Sequence, residues 1–142
     1  MHLHGRETAI RRNGCSDHQY PAGVAIHGNV EIGKGVSICE PAEINGTGSS
    51  VTIGDGCDIA AFVTINVADS SRKCIGFSDD VERQEIVLED HVFVGTGAII
   101  LGGCSIGHHS IVGAGVVLRK RTRVPPRWKV YRPEDYVSES NE

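Results

Sequence analysis

The sequence predicts an all-β fold in which short parallel strands wind into a stacked coil, and three observations carry that prediction. Aliphatic residues recur at every sixth position, most regularly at Leu88, Val94, Ile100, Ile106, Val112 and Leu118. Small or aliphatic residues follow four places later, at Val92, Ala98, Cys104, Ser110 and Val116. Neither the 3.6-residue period of a helix nor the two-residue period of a strand yields a strict six, whereas a short strand followed by a corner does. Composition agrees: 18 glycines serve tight corners, and with only 5% aromatics the interior must be filled by short aliphatics.

Taken in order, residues 1–23 show no clear period. Arg11-Arg12-Asn13-Gly14 and Tyr20-Pro21-Ala22-Gly23 read as turns in a lead-in segment. Coils then begin at 24 and run through Ile26, Ile32, Ile38 and Ile44. Three extra residues separate Ile44 from Ile53, and Asn45-Gly-Thr-Gly-Ser-Ser50 is the natural bulged turn to hold them. The rhythm resumes at Ile53, Ile59 and Ile65, then stops from Asn66 to Val87. That interval is not a multiple of six and is rich in charge (Asp69, Arg72, Lys73, Asp79, Asp80, Glu82, Arg83). Residues 66–87 therefore read as a loop extruded from the coil, of the kind that is commonly functional. Coils return until Leu118, and 119–142 reads as a basic tail. Its Trp128, Tyr131 and Tyr136 could fold back over an open coil end. All 142 residues make one domain.

Net charge is −4, which gives nucleic-acid binding no support. No apolar run approaches the roughly 20 residues of a membrane span, and Met1–Arg6 lacks a secretory apolar segment. Five cysteines at irregular spacings do not form a disulfide framework. Cys57 and Cys104 fall in the small-residue slots of their repeats, so buried reduced thiols in a cytoplasmic protein are expected.

The run from Val92-Phe-Val-Gly95 through Gly113-Ala-Gly115 resembles the signature of hexapeptide-repeat acyltransferases, most nearly the small sugar O-acetyltransferases related to galactoside and maltose acetyltransferases. The resemblance covers roughly residues 24–126 and is strongest over 86–126. It implies a left-handed parallel β-helix, a homotrimer, and acetyl-coenzyme A as co-substrate in the groove between subunits. It further implies that Thr96 and Ala114 line the pantetheine arm, and that Lys120 meets coenzyme A phosphate. Arg119 and Arg121 add positive charge beside Lys120, which suits a polyanionic ligand. A plain solvated tail is the alternative for this run; nucleic acid is disfavoured because no aromatics interleave with the charges.

Acyl transfer needs a group that takes the acceptor's proton as the acceptor attacks the thioester. In the sugar acetyltransferases a histidine of the extruded loop does this, and counting back from Val92-Phe-Val-Gly95 reaches Asp69 instead. The loop holds no histidine. Asp69 could serve if its pKa were raised, and His91, just before the motif, is the nearest histidine. Phe93 could line the pocket for a small-molecule sugar acceptor. A catalytically silent binding or assembly subunit is the second reading. A zinc-dependent γ-type carbonic anhydrase is a third and weaker one, because His27, His91, His108 and His109 contain no His-x4-His pair. Adjacent His108 and His109 are expected to diverge, so no metal site is expected.

Overall fold

The computed structural model describes residues 20–132 and 135, together with the backbone of 9–12. The six-residue period becomes a left-handed parallel β-helix of triangular cross-section with five turns. Ile26, Ile44, Ile65, Ile100 and Leu118 stack in register on the first face. Ile32, Ile53, Leu88, Ile106 and Val124 stack on the second. Ile38, Ile59, Val94, Val112 and Val130 stack on the third. Apart from the half-buried Ile26 and the slightly exposed Ile38, these side chains are almost wholly withdrawn from solvent. Each fully buried one contributes about 1.5–3 kcal/mol by leaving water. The slots four places on, including Ala98, Cys104 and Ser110, are buried too, because only small groups fit beneath a corner.

Burial pushes the thiols of Cys57 and Cys104 above the ordinary cysteine range. Both are unpaired and donate to backbone carbonyls, Cys57 to Glu89 and Cys104 to Arg119.

Three expected boundaries move. The coil does not end at Leu118: strands Arg123–Val124 and Lys129–Val130 complete a fifth turn. Leu118, Val124 and Val130 keep the spacing of six, hidden in the sequence by the charged and proline residues between them. Buried Ser110 locks this turn down, donating to the Pro125 carbonyl and accepting from the Trp128 amide. The lead-in also contains a strand, Ala9–Arg12, whose Ile10 pairs with Val30 on the second face. The extruded segment is shorter than 66–87, since Val67 is buried and Ile86–Leu88 is already a coil strand. The expected cap by Tyr136 and the turn at Asn13-Gly14 lie outside the described residues.

The extra residues after Ile44 form a bulge inside one long strand, Ala42–Ile53, where the register jumps between Gly28 and Val30 of its neighbour. Gly46 is required there, because a Cβ would lie 2.3 Å from the Asn29 carbonyl oxygen.

Candidate functional site

Each turn has three corners, and the candidate residues divide among them. The extruded loop leaves the corner between the first and second faces. Its base is a two-rung antiparallel ladder, Ala68–Asp69 against Glu82–Arg83, followed on one side by a short helix, Ser71–Cys74. Ile75 and Phe77 at the tip are well exposed, with the Arg72 guanidinium over the Phe77 ring.

Lys120 reaches this ladder from the fifth turn. Its Nζ donates to Asp69 Oδ2 at 2.7 Å and to Glu82 Oε1 at 2.8 Å. Between them lies the fourth turn, whose corner is Gly102-Gly103. Cβ atoms there would meet the Val67 carbonyl oxygen and the Arg121 side chain, so the two glycines make the approach possible. Arg121, at a left-handed φ of 63°, donates to Gln84 of the same loop, while Arg119 is exposed.

The ion pairs decide the protonation states. The Lys120 ammonium holds the Asp69 and Glu82 carboxyls below the usual carboxylate range, and they in turn hold its own pKa up. Asp69 is thus shifted the opposite way from a general base, which would need a raised pKa. Depressed carboxylates contribute above about pH 4 and lose that contribution as pH falls, while a raised lysine contributes below about pH 10 and loses it as pH rises. The clasp therefore holds across that whole window. Replacing Lys120 by methionine is expected to speed proteolytic cleavage within residues 70–81 several-fold while moving the melting midpoint by only a few degrees, about what a partly exposed ion pair contributes. An unchanged cleavage pattern would show that the loop is held by other contacts.

The second corner, between the second and third faces, carries a ladder of side chains: His91, His109 and Arg127 occupy the same corner position of successive turns, all at left-handed φ. Glycine holds that position one turn earlier, at Gly56, and a Cβ there would strike the His91 ring. The His91 and His109 rings lie 4.9 Å apart by centroid, and His108 Nδ1 is 3.1 Å from His109 Nδ1. The adjacent histidines converge, against the expected divergence, because the left-handed backbone at His109 turns its ring back beside its neighbour. One ring must donate and the other accept, so the pair cannot persist with both rings protonated. Desolvation, then the positive charge of Arg127 and the neighbouring imidazoles, lower the His109 pKa below that of a free histidine. A neutral imidazole at neutral pH is the result. These rings line a cleft of about 500 Å³ with Glu89 and Asp90 of the same corner and Thr52 and Val87 on the second face.

The third corner holds Thr96 and Ala114, both exposed, stacked one turn apart and linked by the Gly115 amide donating to the Thr96 carbonyl at 2.8 Å. Phe93 is part-exposed on the third face between Asp58 and Ile111. Within one chain, then, Asp69 and Lys120 come together, whereas His91, Phe93 and the Thr96–Ala114 pair lie elsewhere on the prism. His109 and His108 were not singled out by sequence as catalytic. Their signal was present: residues 91, 109 and 127 differ by eighteen, one full turn.

Comparison with known proteins agrees with this architecture. Residues 85–120 match the bacterial transferase hexapeptide family (six repeats). Gamma carbonic anhydrase 2, mitochondrial, of Arabidopsis thaliana is 30% identical over 111 residues, covering 71% of this chain. The chain spans only 40% of the length of that curated relative. Among solved structures, a mutant of AntD, an N-acyltransferase from Bacillus cereus in complex with dTDP and coenzyme A, superimposes with a TM-score of 0.63 at 19% identity, covering 90% of this chain and 76% of AntD. A hexapeptide-repeat acetyltransferase from Vibrio cholerae O1 biovar eltor, complexed with acetyl-coenzyme A, gives a TM-score of 0.54 at 26% identity, covering 86% of this chain and 65% of that one. Among the described residues, no helix is long and apolar enough to cross a membrane, and no group of three or more His, Cys, Asp or Glu is arranged to hold a metal ion.

Proposed function

For a left-handed β-helix whose residues 85–120 are bacterial transferase hexapeptide repeats, we propose an acyltransferase that moves an acetyl group from acetyl-coenzyme A to a hydroxyl or amino group of a sugar or nucleotide-sugar. The geometry that carries this reading is the His109 imidazole, held between His91 and His108 at the edge of a ligand-sized cleft, where desolvation and neighbouring positive charge lower its pKa. When His109 donates its Nδ1 hydrogen to His108, its Nε2 lone pair is left to take a proton. His109 then acts as general base while the acceptor attacks the thioester carbonyl directly, and His91 positions its ring. Asp69 does not fill the role, being held ionised by Lys120.

Coenzyme A would be held by both ends of its length. Thr96 and Ala114 offer exposed backbone and small side chains to the pantetheine arm; Arg119, Lys120 and Arg121 offer charge to the phosphates. These sets sit at different corners of one chain. One coenzyme A would meet both sets only across a subunit boundary of a homotrimer. Lys120 reaches phosphate only by sharing its ammonium with Asp69 and Glu82, so Arg119 carries more of that contact than sequence alone implies. Phe93 remains a candidate for packing against the acceptor. A cytoplasmic location suits acetyl-coenzyme A chemistry and the unpaired Cys39, Cys57, Cys74 and Cys104.

Acetyl-coenzyme A incubated with the protein and a panel of sugars and amino sugars tests the reading: free thiol should appear only when an acceptor is present. Coenzyme A binding without thiol release would instead favour a silent binding or assembly subunit, the reading motivated by a loop that holds no histidine. The carbonic anhydrase relative motivates the third reading, a zinc hydratase, which metal analysis tests: absence of stoichiometric zinc in the purified protein would exclude it.

A further inference from the structure

The clasp at the first corner gathers more negative charge than it neutralises. Asp69 and Glu82 are partners in the antiparallel ladder at the base of the extruded loop, so two carboxylates face one another across a pair of two-residue strands. Like charges directly opposite on a ladder repel and weaken the pairing. The Lys120 ammonium supplies the counter-charge, 2.7 Å from one carboxylate and 2.8 Å from the other. Beyond the ladder the segment stands off the coil: its helix Ser71–Cys74 buries no residue, and Ile75 and Phe77 are well exposed. One cation against two ionised carboxylates leaves the closed triad with a negative charge in excess. An ammonium has three N–H donors, and the carboxylates take two. A phosphate oxygen on the third would lie roughly 4–5 Å from both carboxylate oxygens, well inside the screening length of about 8–10 Å. Phosphate and carboxylates therefore compete for one cation.

We propose that Lys120 is a switch between two sets of anions: it ties the extruded loop down when coenzyme A is absent and lets it go when a coenzyme A phosphate takes the ammonium. The inference rests on the reading in which coenzyme A phosphate meets this corner, and adds that cofactor binding and loop closure oppose one another. Once the ammonium moves to the phosphate, Asp69 and Glu82 are left repelling each other across their ladder, and the segment between them opens. Linkage makes the effect reciprocal. Whatever factor the phosphate takes from loop closure, the two carboxylates take from coenzyme A affinity. That reciprocity separates a switch from a plain fastening, which would hold the loop alike with the cofactor bound or absent.

Glu82→Gln isolates the charge, since the carboxamide keeps an oxygen that accepts from Lys120. Two quantities are read in the wild type and this variant. One is the rate of chymotrypsin cleavage after Phe77, which requires local opening of the segment. The other is the Kd for coenzyme A, with pantetheine, which has no phosphate, as the control ligand. Saturating coenzyme A should speed wild-type cleavage at least about threefold, and pantetheine should leave it unchanged. In Glu82→Gln the Kd for coenzyme A should fall at least about threefold, and coenzyme A should no longer alter cleavage. Cleavage that is unchanged or slowed with coenzyme A bound, or a Kd no tighter in Glu82→Gln, overturns the switch while coenzyme A binding stands. Pantetheine acting as strongly as coenzyme A overturns it too, because the phosphate would then play no part. No coenzyme A binding in either protein overturns both the switch and the coenzyme A reading.

Discussion

Replacing Ile65 by alanine should lower the free energy of unfolding by about 2–5 kcal/mol, the range for removing a fully buried large aliphatic. Ile65 is 0% exposed and stacks between Ile44 above and Ile100 below, in the middle turn of five. The turns cannot slide together to fill the void, because each is held at the strand spacing by in-register backbone hydrogen bonds on its faces. The lost methylenes therefore leave a cavity whose cost adds to the transfer term. Ile26→Ala offers the internal comparison. It lies on the same face, but it is already half-exposed at the start of the coil, and its loss should be well under half as large. Urea unfolding followed by circular dichroism reads both. Equal losses would mean that the coil does not stack as a set of nearest-neighbour layers.

The second large effect is catalytic. His109→Ala should lower kcat/KM for acceptor-dependent thiol release by about 10²–10⁴, the usual contribution of a positioned general base. His109 is exposed at a corner, its ring touching only His91 and His108 among the aromatic groups, so the fold should survive the change and thermal melting should move little. His91→Ala should cost less, because its ring stacks on His109 and acts through it. If His91→Ala proved the more damaging, the roles of the two rings would be exchanged. If neither mattered, the cleft would not be where acyl transfer occurs.

Much of this fold was legible in the residues. Six-residue spacing alone assigns nearly every core side chain to its face, because each aliphatic at that period must point inward when the chain turns a corner after it. The fifth turn was concealed: Arg119 to Arg123 and Pro125-Pro126 look like a tail, yet an outward-facing corner leaves charged side chains in solvent and accepts proline at its negative-φ positions. The site was harder to read. Lys120 sits 51 residues from Asp69 in sequence, and only the loop's own ladder brings Asp69 and Glu82 beneath it. A basic run that sequence assigns to phosphate binding is thus partly consumed in holding the loop. His109 escaped notice for a different reason. Its importance depends on side-chain direction at a left-handed corner, which a linear pattern does not encode, although the spacing of eighteen from His91 and Arg127 marks the stack.

The central claim is that a neutral imidazole at this corner is the base, and the pH dependence of kcat/KM for thiol release tests it most directly. Four neighbours set its titration: Arg127, His91 and His108 lower the His109 pKa together with desolvation, and Asp90 raises it. A base must be unprotonated to work, so activity should fall as pH drops, with the midpoint below the ordinary histidine value of about 6.5. Arg127→Gln removes a positive charge, which should raise the His109 pKa and move that acid limb to higher pH. A limb that stays in place in Arg127→Gln, or activity that persists undiminished in His109→Ala, would contradict the account.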